Sequence, residues 1–173
     1  MKVATLFCLF YLSEGIGFGI LDPITPIFIT TRFSVDLAYV GLLYTLSYGM
    51  TSFLLQIPGG WIADRYDKRK VVIVTYMIAA PFFAFFSTAR NIWEPFIFMS
   101  LSRGLTSMVW SAHQSLRMNL TPSSRWGLVN AISYMTYWGG MMTGSALSGI
   151  LWDNFGMSVP YYVSSITVLA SLI

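Results

Sequence analysis

Gly60-Trp61-Ile62-Ala63-Asp64-Arg65-Tyr66-Asp67-Lys68-Arg69-Lys70 decides the reading of this chain. The stretch lies between two long apolar segments. From Asp64 to Lys70 it holds four basic and two acidic residues, in a chain of 173 with only ten Lys and Arg and seven Asp and Glu. Charge this dense between two apolar spans stays on the cytoplasmic side of a membrane. The turn therefore predicts a cytoplasmic loop and sets the direction of the segments that flank it.

Composition supports a membrane setting. The chain is 55% hydrophobic, 17% aromatic and 10% charged, with a mean hydropathy of +0.65. Soluble domains carry about 25% charge, so a soluble globular protein is excluded and a polytopic membrane protein is expected. The net charge of +3 is carried in loops and does not point to nucleic acid. Cys8 is alone and lies in an apolar run, where it reads as a small hydrophobe. Lys2 and the apolar run after it resemble a signal peptide, but no small-residue cleavage pattern follows and Glu14 interrupts the run. An uncleaved first helix is the expectation. Nothing in the pattern calls for a cofactor or a bound metal.

The apolar stretches run approximately over 3–31, 37–62, 71–89, 95–117, 126–152 and 158–173. A membrane-crossing helix needs about 20 residues, so the first five suffice and the sixth stops within a span. The expected fold class is an all-α membrane protein with six transmembrane helices. With the N-terminus inside, Lys2, Arg65, Lys68, Arg69, Lys70, Arg117 and Arg125 fall on the cytoplasmic side, against Arg32 and Arg90 outside. Trp61, Trp126, Trp93 and Trp152 fall at span ends, as interfacial anchors do. Pro23 and Pro26 predict an end or kink in the first span, and Pro81 a bend in the third.

A shift of 89 residues brings the two halves of the chain into partial agreement. Leu12-Ser13-Glu14-Gly15 falls on Leu101-Ser102-Arg103-Gly104, Tyr48 on Tyr137, and Gly60 and Asp64 on Gly149 and Asp153. Spans one to three thus read as a repeat of spans four to six. Three is odd, so the second copy is inverted, with repeat one at about 1–89 and repeat two at about 90–173. The relation carries Glu14 onto Arg103, and both fall near the midplane of a core about 30 Å thick. A lone charge there is expensive, so the two are expected to pair, directly or through water or substrate.

The opening stretch resembles the signature loop of the major facilitator superfamily, Gly-x-x-x-Asp-Arg-x-Gly-Arg/Lys-Arg/Lys. Gly60, Asp64, Arg65, Lys68 and Arg69 match it, and Asp67 stands where the family has glycine. Leu101-Ser102-Arg103-Gly104 looks like the fourth-helix motif, and Thr121-Pro122-Ser123-Ser124-Arg125-Trp126-Gly127 like the loop after it, with Trp126 inserted. Gly140, Gly144 and Gly149 follow the fifth-helix pattern of antiporters, Gly-x-x-x-Gly-Pro-x-x-Gly-Gly, with Ser145 and Ser148 as departures. The resemblance covers the whole chain, in register with the N-terminal six-helix half of a twelve-helix transporter. It implies a secondary active transporter that moves a small solute by alternating access, ion-coupled with the proton favoured, in the cell membrane. The partners implied are the small-molecule substrate, the lipid bilayer and a C-terminal six-helix half absent from this chain. It also implies a conformational latch at Gly60, Asp64, Arg65 and Arg69, seated against that other half.

The candidates for substrate binding or proton coupling are Glu14, Arg103, Asp22 and His113. Asp22 lies close to the outer interface. His113, near the inner end of the fourth span, reads first as a hydrogen-bonded interfacial residue and second as a proton shuttle. Gln56 and Gln114 either line a cavity or bond between helices, and Trp110, Trp138, Tyr134 and Tyr137 read first as packing residues. Gly140, Gly144 and Gly149 read as helix-packing positions, and Gly60 as a site of close helix approach. Two alternatives stand beside the transporter: a non-transporting receptor or scaffold on the same fold, and an intramembrane enzyme. The enzyme lacks its parts, since no Gly-x-Ser-Gly run is present and the chain has one histidine.

Overall fold

A computed structural model describes residues 2–172, with side chains from Thr5 to Leu172. The expected inner charge of Lys2 and the stop of the sixth span at Ile173 lie outside those side chains. Among the described residues every regular element is helical. Helix α1 runs Lys2–Phe33. A second rod is built of α2 (Leu37–Leu43), a π-helical stretch (Tyr44–Met50) and α3 (Thr51–Arg65). Helix α4 is Lys68–Phe86. A fourth rod is broken at Val109 into α5 (Trp93–Met108) and α6 (Trp110–Asn119). Helices α7 (Trp126–Phe155) and α8 (Val159–Ala170) complete the described chain.

Three stretches are long and apolar enough to cross a membrane: Thr5–Phe33, Leu37–Arg65 and Lys68–Phe86. The rods in the positions of the expected fourth to sixth spans fall short for separate reasons. Helices α5 and α6 are each short, α7 has the length but is rich in Gly, Ser and Thr, and α8 has 12 residues.

The tightest contact is α1 against α7. A Cβ on Gly15 would lie 2.2 Å from the Tyr137 carbonyl oxygen, and one on Gly19 would lie 2.3 Å from that of Met141. Reciprocally, Gly140 and Gly144 press on the Leu12 and Ile16 carbonyls, at 2.5 and 2.3 Å. Glycines four residues apart on both helices let the backbones touch. Lipid supplies no hydrophobic drive between helices, so dispersion and interhelical hydrogen bonds do the holding. Gly149, grouped by sequence with Gly140 and Gly144, meets nothing within 4 Å of a built Cβ, so it is not a packing glycine here. It lies on the side of α7 that faces away from α1.

Buried hydroxyls add polar joints. Ser164 donates to the Gly17 carbonyl at 2.8 Å, and Ser165 donates to that of Ala80 at 2.8 Å. Helix α1 does not end at its prolines and continues to Phe33. Pro23 has no N–H, so the Gly19 carbonyl four residues earlier loses its helical donor. The Ser145 hydroxyl of α7 donates to that carbonyl at 3.1 Å.

In the charged turn between α3 and α4, Asp67 stands where the resembled family has glycine. Its φ is −58°, so the position does not require glycine. Asp67 is instead the N-cap of α4, accepting from the backbone N–H groups of Arg69 and Lys70 at 2.8 and 3.3 Å. A carboxylate there also meets the positive end of the helix dipole.

Candidate functional site

The rods α1, α2–α3, α5–α6 and α7 line an open cavity of about 390 Å³. Its charged residues are Glu14 and Arg103; Ser52, Gln56, Thr106 and Ser107 are polar, and Phe18, Tyr48, Trp110, Tyr134, Tyr137 and Trp138 are aromatic. Tyr48 and Gly49 reach it from the π-helical stretch. Such stretches insert an extra residue per turn and re-aim side chains, often at functional sites. Of the two glutamines left open by the sequence, Gln56 lines this cavity.

Glu14 is 2% exposed. The Tyr76 hydroxyl of α4 donates to its Oε1, while Oε2 is buried with no hydrogen-bond partner in the protein. Tyr76 in turn stacks on His113, with ring centroids 5.9 Å apart and planes 16° from parallel. His113 also touches the Phe10 ring at 4.1 Å, is 4% exposed, and has no partner at Nδ1. Aromatic rings from α1 and α4 pack on His113, which also borders an apolar hollow toward α1, α4 and α6.

Arg103 forms its ion pair with Asp22. Its guanidinium lies over the Phe18 ring at 4.4 Å, with the rings of Tyr48 and Phe83 at 5.6 and 5.9 Å. The direct pairing of Glu14 with Arg103 does not occur. Asp22 lies eight residues beyond Glu14 on α1, a rise of roughly 12 Å, and is the carboxylate that Arg103 reaches. Glu14 is turned to the phenol of Tyr76. Both Glu14 and Arg103 nevertheless line one cavity.

Arg117, counted on the cytoplasmic side from its place near a span end, is 3% exposed. It donates to the Tyr11 hydroxyl at 3.2 Å and to Oδ1 of Asn130. Tyr76, Tyr11 and Asn130 were missed. A lone asparagine four residues into an apolar helix was the one legible signal, because a polar side chain at such depth needs a partner.

The charged turn lies outside the cavity. Asp64 is exposed at the end of α3, and the Arg65 guanidinium lies 4.3 Å over the Trp61 ring. Arg69 borders an apolar hollow of about 260 Å³ that His113 also reaches. Close approach belongs to Gly59, whose added Cβ would lie 2.1 Å from the Met108 carbonyl oxygen. Gly60, beside it, meets nothing within 4 Å in this chain. Neighbouring residues on a helix point about 100° apart, and Gly59 holds the face toward α5. Among the described residues no cluster suited to a metal ion occurs.

Comparison with known proteins gives one consistent result. The family profile described as the Major Facilitator Superfamily matches residues 7–173. The MFS-type transporter ppzB of Metarhizium rileyi is 22% identical over 166 residues, covering 92% of this chain and 34% of that protein. A Na(+), Li(+), K(+)/H(+) antiporter of Planococcus maritimus is 24% identical over 162 residues, covering 91% of this chain and 38% of its own length. The crystal structure of the POT family transporter PepTSo superposes with a TM-score of 0.85 at 17% identity, covering 99% of this chain and 36% of that one. The chain thus spans little more than a third of the length of these relatives.

Proposed function

Because the chain belongs to the major facilitator superfamily, we propose that it forms the N-terminal six-helix half of a secondary active transporter. The half consists of two inverted three-helix repeats, about 1–89 and about 90–173. A second six-helix half of the same polypeptide faces it across the cavity. The whole protein moves a small solute by alternating access, coupled to an ion gradient, with the proton as the coupling ion. It lies in the cell membrane with its N-terminus and charged turn in the cytoplasm.

One observation carries this reading. Glu14 and Arg103, related by the 89-residue shift, line the same polar and aromatic cavity from α1 and α5. Charges buried at such depth in a membrane protein mark substrate and ion pathways. Inverted repeats meeting at a central site are the architecture that alternating access uses. Gly60, Asp64, Arg65 and Arg69 form the latch: the turn is exposed on this half and is free to meet helix ends of the other.

The test is flux. The full-length polypeptide is reconstituted in liposomes containing a pH-sensitive dye and challenged with a panel of small solutes. A solute that is carried shifts the internal pH, and Glu14→Gln removes the shift. Folded protein that moves neither solute nor protons across the panel, with any ion gradient imposed, contradicts the proposal.

A further inference from the structure

The hollow of about 260 Å³ beside the charged turn is distinct from the central cavity and shares no lining residue with it. It lies between α1, α4, α6 and the residues that follow α8. Leu6, Phe7, Val72, Ile73, Leu116 and Leu120 give it apolar walls. Leu6 and Leu120 are more than half exposed and form its mouth, while Val72 is buried. Among the described residues no carboxylate lines it, and its one charged side chain is Arg69. Arg69 stands in the first turn of α4 and makes no ion pair among the described residues. The Asp67 carboxylate, two residues before it, is engaged by backbone N–H groups as the cap of α4.

Shape and charge together select the occupant. Apolar walls with a lone guanidinium at the rim match an apolar body with an anionic head. A guanidinium grips a carboxylate through two parallel N–H···O bonds. The volume falls just under the range of about 300–1,000 Å³ for small-molecule sites, which suits one alkyl chain and not the two of a phospholipid. Phe10 and His113 wall the far end. His113 stacks on Tyr76, seven residues along α4 from Arg69, so the hollow runs roughly 10 Å inward from the guanidinium. The charged turn puts this end of the bundle at a membrane surface. Single-chain acids dissolved in the bilayer hold their carboxylates at that same level.

We propose that this hollow binds a single-chain fatty acid of medium length from the surrounding leaflet, with its carboxylate on Arg69 and its chain along Phe7, Val72 and Leu116 toward His113. The site stands apart from the transport path, and its occupation does not depend on flux.

The test is photolabelling. The full-length protein in phosphatidylcholine nanodiscs is irradiated with decanoic acid carrying a mid-chain diazirine, and the adducts are mapped by peptide mass spectrometry. Adducts are expected on Phe7, Ile73 and Leu116, in clear excess over Val74 and Ile78, which are exposed on the opposite face of α4. Unlabelled decanoate should displace the probe about tenfold better than decanol or decyltrimethylammonium, because the head group must meet Arg69. Arg69→Gln should cut the labelling of the hollow about tenfold, and Ile73→Trp, which fills the space, should remove it. Labelling spread evenly over the hollow and the opposite face of α4 overturns the proposal. So does equal displacement by decanol, or full labelling of a folded Arg69→Gln protein. A hollow covered by the rest of the polypeptide leaves Phe7 and Leu116 without adducts and overturns it equally. The wild-type pattern and its displacement series decide alone if neither variant folds.

Discussion

The Tyr76 hydroxyl of α4 donates to Oε1 of Glu14 on α1, and Oε2 of the same carboxyl keeps no partner within the protein. One bond therefore fixes the orientation of the acid, and the other oxygen is buried without a partner. Tyr76 is itself buried and stacked on His113, so the carboxyl is held by a rigid aromatic wall.

Tyr76→Phe keeps the ring and removes the donor. A buried acceptor left unsatisfied costs about 1–3 kcal/mol, so the variant should unfold at lower temperature in detergent than the wild type. Ion-driven flux by the full-length protein should fall with it, because Glu14 loses its fixed geometry. An unchanged melting profile with unchanged flux would show that the bond contributes nothing.

Arg103 and Asp22 should behave as a coupled pair. Removing one partner leaves the other charge uncompensated. Arg103→Gln and Asp22→Asn should each destabilise the protein, and the double variant should recover about 0.5–3 kcal/mol of the sum. The same cycle with Glu14→Gln in place of Asp22→Asn should show the weaker coupling, since the structure gives Glu14 no direct bond to Arg103. Measured unfolding midpoints decide between the two cycles.

Ser145→Ala tests the hydroxyl that serves the carbonyl Pro23 leaves without a donor. The loss should be about 0.5–1.5 kcal/mol. In a Pro23→Ala background the helix supplies its own donor, so the same substitution should cost less. Equal losses in both backgrounds would break the link between the two residues.

Much of this arrangement was legible in the sequence, and the limits have physical causes. The signature turn and the apolar lengths placed the rods, and the 89-residue shift brought Glu14 and Arg103 to one cavity. Spacing along α1 could not say which of two carboxylates Arg103 would reach, because Glu14 and Asp22 lie on one helix at different heights. The partner that settles Glu14, Tyr76, comes from a helix that its own sequence marks only as apolar. Gly59 and Gly60 are adjacent, and only the rotation of α3 against α5 shows that Gly59 is the one pressed on this half's own helices. Asp67 stands where the family has glycine, and the motif alone did not show that its carboxylate caps a helix. Arg117 was placed by nearness to a span end, and spacing alone could not show that it is buried against Tyr11 and Asn130.

The glycine contact of α1 with α7 predicts a sharp contrast. Gly144→Ala places a methyl group 2.3 Å from the Ile16 carbonyl oxygen. The helices must separate, at about 1–3 kcal/mol. Gly139→Ala and Gly149→Ala meet nothing within 4 Å and should leave stability within error or raise it slightly. Thermal unfolding of the three variants side by side checks this.

At the charged turn, Asp67→Ala should cost about 0.5–2 kcal/mol through the lost cap, and Asp67→Asn much less. Asp64→Asn, at an exposed position outside the cap, should leave stability near wild type and lower flux. A matching loss of stability in Asp64→Asn would place its role in folding, not in the latch.

Alternating exposure of the cavity is open to direct measurement. Cysteine is introduced at Gln56, on the cavity wall, in a full-length protein freed of other cysteines, including Cys8. A membrane-impermeant maleimide is applied from each side in turn while the ion gradient is reversed. The cysteine should react from one side under one gradient and from the opposite side under the other. Reaction from a single side under every gradient, in protein that remains folded, would contradict the transporter account.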